Sequence, residues 1–248
     1  MFDDHWTQHY GKYNDRNQTV LAKVSDFFAE HNEPIVKTSS EQTPPWLIVP
    51  PRTDDQLAGK ISKHEAPEIL LALSKDVIQS YCDHVHIYTD ASKTTKSALA
   101  AMYKEATRIQ KSSSRRVTDQ ASVFAGEMAA VHTALQTAEQ LNSYRPLAIF
   151  SDSLSAIRCI KHQHSTSRPK MLQAIYERKH ELNRNVTLVW IPSHIGIRGN
   201  ELADRLANEG ASRHAVDMHI GLEITEMYSA VDDYCRDKWQ QECCDAHL

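Results

Sequence analysis

The segment VHIYTD, residues 85–90, alternates Val85, Ile87 and Thr89 with ring-bearing positions and then ends on the carboxylate of Asp90. A period of two residues is typical of a β-strand. The segment PLAIFSD, residues 146–152, is a short apolar run that also finishes on a carboxylate, Asp152. Two strands that each end on an acid predict a site where the ends of those strands meet.

Helical and strand-like segments alternate on both sides of these two strands. The best helix is SVFAGEMAAVHTALQTAEQL, residues 122–141, because its apolar residues recur at spacings of three and four. Further strands are predicted at 97–105, within 113–121 and at 186–191, and further helices at 153–163, 170–184 and 199–211, the last with Asn200 as its N-cap. This alternation predicts an α/β fold in which helices cover a sheet.

The flanks of this α/β region have a different pattern, which predicts three parts. Residues 1–83 are expected to be an N-terminal helical and Pro-rich connector, with a helical lead over 1–33, a linker over 38–52 that holds two Pro-Pro pairs, and a helix within 65–82. Residues 84–213 are expected to form the main domain. Residues 214–248 are expected to be a C-terminal helical tail.

Composition and charge limit the class of protein. The chain of 248 residues is 41% hydrophobic and 24% charged, which is ordinary for a globular protein. No apolar run is long enough to cross a membrane, and the acidic N-terminus does not resemble a signal peptide, so we expect an intracellular protein without a membrane partner. Residues 84–213 contain 18 Lys and Arg against 11 Asp and Glu. This surplus suits either a solvated surface or a nucleic-acid partner.

The five cysteines have no repeated spacing, which argues against a disulfide framework and for a reducing compartment. Cys235, Cys243, Cys244 and His247 could form a zinc site, but their spacing is poor for one. Free thiols on a helix are the preferred interpretation.

Four acids are candidate metal ligands, and each has a simpler explanation. Asp90 and Asp152 at strand ends could be turn or N-cap residues, and Glu127 on the apolar face of its helix could form a buried salt bridge. Asp204 shares a helical face with Glu201 and Asn208 and could be a solvated acid of a first turn. Together, oxygen ligands from two strands and two helices suit Mg²⁺.

A pair of Mg²⁺ ions would favour in-line displacement at phosphorus, which is phosphodiester hydrolysis. His194 lies in the Gly-containing segment SHIGIRGN and could move a proton or help product release; its alternative is a surface histidine without a role.

Four motifs in order, YTDASK, FAGEMAAVHTAL, IFSDSLSAI and WIPSHIGIRGNELADRLA, resemble the ribonuclease H domain of non-LTR retrotransposons over about 84–213. The resemblance implies a mixed five-stranded sheet flanked by helices. It also implies cleavage of the RNA strand of RNA–DNA hybrids with two Mg²⁺ ions, or Mn²⁺. The residues that match the metal-binding acids of the family are Asp90, Glu127, Asp152 and Asp204, and His194 matches its mobile-loop histidine.

The resemblance also implies partners. An RNA–DNA hybrid is the expected substrate, with Lys93 and Arg198 as the nearest cations for its phosphates. Because no polymerase motif is present, we expect the chain to be a piece of a longer polyprotein or a relic, and a reverse transcriptase supplied by another chain could be a partner. Ala91 stands where the family often has glycine, which leaves open a decayed domain that binds nucleic acid or a protein without cleavage. An integrase or resolvase on a related fold is a third interpretation.

Overall fold

The structure is a computed structural model that describes residue 27 and residues 49–61, 65–93, 98–105, 111–141, 143–165, 167–210, 213–221 and 224–245. The strands are β1 (Arg52–Asp54), β2 (Val85–Lys93), β3 (Ala98–Glu105), β4 (Lys111–Arg116), β5 (Leu147–Ser151) and β6 (Val186–Trp190). The helices are α1 (Gln56–Lys60), α2 (Pro67–Gln79), α3 (Val123–Glu139), α4 (Leu154–His162), α5 (Pro169–Glu181), α6 (Arg198–Gly210) and α7 (Ile224–Asp245). None of the described helices has the length and apolar character needed to cross a bilayer.

The chain divides into two compact units. One comprises Lys37–Ile220 and holds the whole described sheet. The other combines Met1–Val36 with Gly221–Leu248. Within this second unit the buried ring of Phe27 contacts the ring of Tyr234 on α7 edge-on, with centroids 5.5 Å apart.

The sheet confirms the predicted α/β class and has the order β1-β6-β5-β2-β3-β4. The first four strands in this order pair in parallel with one another. The pairs β2–β3 and β3–β4 are antiparallel, so the sheet is mixed. Residues 84–213 contribute five of its described strands, β2 to β6, as the resemblance implies, and a sixth strand is added by residues that precede this range. The additional strand is β1, which has only three residues and therefore shows no periodicity in the sequence.

Strand β1 also corrects the predicted bounds of the linker, 38–52. Arg52, the last residue of that range, belongs to the sheet. The Pro pair before it favours an extended backbone, and prolines are tolerated at the start of an edge strand. Asp54 accepts a hydrogen bond of 2.8 Å from the Tyr81 hydroxyl, and Asp55 forms an ion pair of 2.7 Å with Lys161. Burial first, and then the Asp54 carboxylate, raises the pKa of Tyr81. These contacts fasten β1 to the rest of its unit.

Other expectations differ from the structure at their boundaries. The third predicted strand is observed as β4, which begins before 113 and ends at Arg116. Asn200 is not an N-cap, because α6 begins at Arg198. The N-terminal lead lies outside the described residues except for the helical Phe27. Of the residues considered for zinc, Cys235 is half-buried on α7, whereas the side chains of Cys243 and Cys244, and all of His247, lie outside the described part of the chain.

Helices cover both faces of the sheet. One face packs against α3, α4 and α5, and Met128, Val131 and Leu135 of α3 are fully buried there. The other face packs against α2 and α6. The N-terminus of α3 is capped by Ser122, whose hydroxyl accepts a hydrogen bond of 3.2 Å from the N–H of Ala125. Burial of each large aliphatic side chain contributes about 1.5–3 kcal/mol, so these two layers fix the positions of the strand ends.

The edge of the sheet at β4 is covered by the segment 213–220. The backbone N–H groups of Asp217 and Met218 both donate to the carbonyl of Arg116, and the Asp217 carboxylate accepts from the N–H of Arg116 at 2.9 Å. Arg213 donates to the carbonyl of Ser114 and lies 3.1 Å from Asp217. The segment therefore satisfies backbone groups that an open edge would leave to solvent or to another chain.

We expect the substitution Asp217→Ala to lower the free energy of unfolding by about 0.5–1 kcal/mol at pH 7, because it removes an exposed acceptor of a backbone N–H. The hydrogen bond from Arg116 holds the pKa of Asp217 below its ordinary value. A carboxyl group whose pKa is lowered by folding stabilises the protein above its unfolded pKa, and this contribution is lost as the pH falls through the folded pKa. The difference between parent and variant should therefore shrink below about pH 4 in urea unfolding.

The control is Asp76→Ala, an exposed acid on α2. The role of Asp217 at the sheet edge would be contradicted if both substitutions changed the free energy of unfolding equally. It would also be contradicted if the effect of Asp217→Ala did not change with pH.

Candidate functional site

Two acids meet where the parallel pairing of β2 with β5 ends. Asp152 directly follows β5, but the expectation that Asp90 ends its strand is wrong, because β2 continues to Lys93 through its pairing with β3. β2 and β5 run side by side, with Thr89 opposite Ser151, so Asp90 and Asp152 follow at the same level. This is the edge where open α/β sheets usually carry their sites. Asp90 is buried and Asp152 is half-buried.

Glu127 of α3 joins these two acids. Its side chain is only 5% exposed, in agreement with the predicted core-facing position. One ligand oxygen from each of Asp90, Glu127 and Asp152 lies within 4.8 Å of the others. Three elements far apart in sequence thus bring their carboxylates to one place.

Each of these carboxyl groups has a raised pKa. Burial is the main cause for Asp90, whose pKa rises to about 8, and the charges of Asp152 and Asp204 add to it. Burial and then the charges of Asp90 and Asp152 raise the pKa of Glu127 well above its usual value. Burial also raises the pKa of Asp152. The fold therefore holds these groups together against desolvation and mutual repulsion.

The cluster fits a divalent cation. All its donors are carboxylate oxygens, which are the ligands that Mg²⁺ prefers. Among the described residues, Glu127 Oε2 is buried and has no hydrogen-bond partner. A buried polar atom without a partner is costly, and a cation at this place would satisfy it and neutralise the repulsion.

Asp204 of α6 lies beside Asp90 but does not belong to the group of three acids whose ligand oxygens lie within 4.8 Å of one another. The start of this helix lies close to the sheet because Gly199 has no side chain: a Cβ there would lie 2.3 Å from ring atoms of Tyr88. Asp204 interacts with Asp90 and accepts a hydrogen bond of 2.9 Å from Asn208, one turn further along α6. The predicted shared face of Asp204 and Asn208 is therefore present.

Asp152 is held from two sides. The amide of Asn200, a residue only 2% exposed, donates to Asp152 Oδ2 at 3.2 Å. The indole N–H of Trp190, at the end of β6, donates to the backbone carbonyl of Asp152 at 3.0 Å. These contacts fix both the carboxylate and the backbone that carries it.

His194 lies in the loop before α6 and is exposed. Its φ of 54° is in the left-handed region, which is uncommon for a residue other than glycine. Ligand atoms of His194, Glu201 and Asp204 lie within 4.8 Å of one another. Glu201 also accepts a hydrogen bond of 3.1 Å from the N–H of Gly196, so it ties this loop to α6.

The two predicted phosphate contacts are both exposed. Lys93 is the last residue of β2, three positions after Asp90, and Arg198 is the first residue of α6. Both lie on elements that carry an acid of the site, but their roles remain predictions.

Sequence reasoning did not assign site roles to Asn200, Asn208, Glu201 and Trp190. Asn208 was recognisable from its spacing of four residues from Asp204 on one helix. Asn200 and Trp190 gave no such signal, because their partner Asp152 lies on another element.

Comparison with known proteins gives one family. A family model described as RNase H matches residues 83–212. Among solved structures, LC11-RNase H1, isolated from compost by a metagenomic approach, is 19% identical over 52% of this chain and 96% of its own, with a TM-score of 0.46. The RNase H1 of the halophilic archaeon Halobacterium salinarum is 22% identical over 51% of this chain and 96% of its own, with a TM-score of 0.42. The prototype foamy virus protease-reverse transcriptase is 19% identical over 53% of this chain and 21% of its own, with a TM-score of 0.45.

We expect Asp90→Asn to raise the melting temperature of the metal-free protein at pH 8, since it replaces a buried, repelled carboxylate with a neutral amide. The gain should correspond to about 1–3 kcal/mol. Added Mg²⁺ should stabilise the parent protein but have a smaller effect on the variant, because a ligand of the folded state is lost.

Differential scanning calorimetry with and without Mg²⁺ measures both effects, and Asp76→Asn is the matched surface control. A metal-free variant that melts below the parent would contradict the repulsion described for this cluster.

Proposed function

Because the chain belongs to the RNase H family, we propose that it is an endoribonuclease that cleaves the RNA strand of RNA–DNA hybrids by hydrolysis. The observation that carries this proposal is the convergence of Asp90, Glu127 and Asp152, with Asp204 beside them. An all-carboxylate cluster at the end of a sheet suits metal-assisted hydrolysis of a phosphodiester and has no obvious structural use.

The four acids would hold two Mg²⁺ ions, or Mn²⁺, and His194 would act beside them. When bound, such ions supply an activated water and neutralise the charge that develops on the phosphate. The positions of the carboxylates determine where the cations can bind, while Asn200 and Trp190 keep Asp152 oriented. Preorganisation of this kind reduces the rearrangement needed during the reaction.

We propose that His194 handles protons at the rim of the site. It is exposed, lies close to Glu201 and Asp204, and sits on a loop anchored through Gly196. An imidazole at this position suits protonation of the leaving oxygen or assistance to product release.

Substrate recognition would combine charge and shape. Lys93 and Arg198 would contact phosphates, and contacts with 2′-hydroxyl groups in the minor groove would distinguish the RNA strand from DNA. This proposal includes a retrotransposon origin and, as a partner, a reverse transcriptase supplied by another chain. Both rest on the sequence motifs alone.

We propose that the chain has three parts, residues 1–83, 84–213 and 214–248, and that the middle part carries out catalysis. The parallel pairing of β1 with β6 means that residues before 84 also contribute to the sheet. The full chain is therefore the appropriate protein for activity measurements.

We expect the full chain to cut the RNA strand of a labelled hybrid when Mg²⁺ is present, and Asp90→Asn to reduce the rate by about a hundredfold or more because one ligand for the catalytic charge is lost. Gel analysis of both labelled strands measures this, with Asp76→Asn as the control. Hybrid binding without cleavage by the parent would instead indicate a domain that has lost catalysis, and cleavage of duplex DNA would indicate a different nuclease.

We expect His194→Ala to lower kcat by about tenfold and to leave the Mg²⁺-induced rise in melting temperature nearly unchanged, because the residue moves protons at the rim while the acids remain. Single-turnover and steady-state rates on the same hybrid separate proton transfer from product release. An unchanged kcat in both regimes would remove His194 from the mechanism.

A further inference from the structure

A chain of hydrogen bonds connects β2 to Asp204 through two residues outside the acid cluster. The hydroxyl of Ser92 donates to Asn208 Oδ1 at 2.8 Å, and Asn208 Nδ2 donates to Asp204 Oδ1 at 2.9 Å. Ser92 lies two residues after Asp90 on β2, and Asn208 lies one turn after Asp204 on α6. The chain therefore joins the strand of one acid to the helix of another.

The direction of these bonds follows from charge. An amide has a donor end and an acceptor end, and only the donor end is attracted to the Asp204 carboxylate. With its nitrogen on Asp204, Asn208 presents its oxygen to β2, where the Ser92 hydroxyl donates to it. Ser92 thus holds the amide in the orientation that Asp204 requires.

A neutral donor has an advantage at this position. A Lys or Arg in contact with Asp204 would form an ion pair and reduce the negative charge available to a cation. Asn208 occupies one carboxylate oxygen without adding charge. Hydrogen bonds of this type commonly orient a metal-binding side chain through the atom that does not bind the metal.

We propose that Asn208, oriented by Ser92, is a positioning residue that holds Asp204 in the side-chain conformation that completes the acid cluster. This inference rests on the proposed function, in that Asp204 is taken as a ligand for the divalent ion. Neither residue needs to touch the substrate. With these two residues, the Asp204 side chain is held beside Asp90; without them, it would rotate in solvent.

The experiment measures Mg²⁺ binding to the full chain by titration calorimetry, with Mn²⁺ as a second probe. Asn208→Ala should weaken binding about tenfold, at the lower end of the usual range because Asn208 is exposed. Ser92→Ala should weaken it about threefold. The double variant should be no weaker than Asn208→Ala alone, because Ser92 acts only through Asn208.

Two controls separate positioning from general damage. Ser92→Thr keeps the hydroxyl and should bind Mg²⁺ like the parent protein. Gln79→Ala removes an exposed amide from α2 and should also leave binding unchanged. In the hybrid-cleavage assay, the loss of rate in Asn208→Ala should be largest at low Mg²⁺ and should recover at saturating Mg²⁺, which a folding defect would not do.

The outcomes distinguish a failure of the proposed function from a failure of the positioning role of Asn208. A parent protein that binds neither Mg²⁺ nor Mn²⁺ would overturn the proposed function and this inference with it. A parent that binds Mg²⁺, together with an Asn208→Ala variant of equal affinity, would overturn only the positioning role. Additive losses in the double variant would show that Ser92 does not act through Asn208 and would overturn the connected chain.

Discussion

Repulsion between buried carboxylates is the constraint on which the site depends. Asp90, Glu127 and Asp152 have raised pKa values, chiefly because burial disfavours their charged forms and also because neighbouring acids of the site repel them. Their oxygens nevertheless lie within 4.8 Å of one another. Packing elsewhere must supply the free energy that keeps them there, and the buried layers on both faces of the sheet do so. A stability cost concentrated at one place is characteristic of a functional site.

Helix α6 makes the largest contribution to the organisation of the site. It carries Asp204, and it also carries Asn200 and Asn208, whose amides hold Asp152 and Asp204. Its approach to the sheet depends on Gly199, since a side chain there would collide with Tyr88. Through Glu201 the same helix anchors the loop of His194. A shift of one helix would therefore disturb two acids and the histidine loop together.

The described sheet extends beyond the segment that matches the RNase H family. The match covers residues 83–212, yet β1 pairs with β6 at one edge, and residues 213–220 cover β4 at the other. Both additions satisfy backbone groups at edges, where unpaired strands invite association with other chains. The contacts of Asp54 with Tyr81 and of Asp217 with Arg116 fasten these additions to the unit that contains the site.

Local periodicity in the sequence determined most elements of the α/β fold and much of the site. A period of two placed Asp90 on a strand, although β2 continues past it to Lys93, and helical spacing put Glu127 on a buried face and Asp204 on one face with Asn208. These features depend on residues within one or two turns or strand repeats of each other. The three-residue β1, the edge cover at 213–220 and the contact between Asn200 and Asp152 were decided only by the tertiary structure. Each joins elements that are distant in the chain, and no local pattern encodes which of them will pack together.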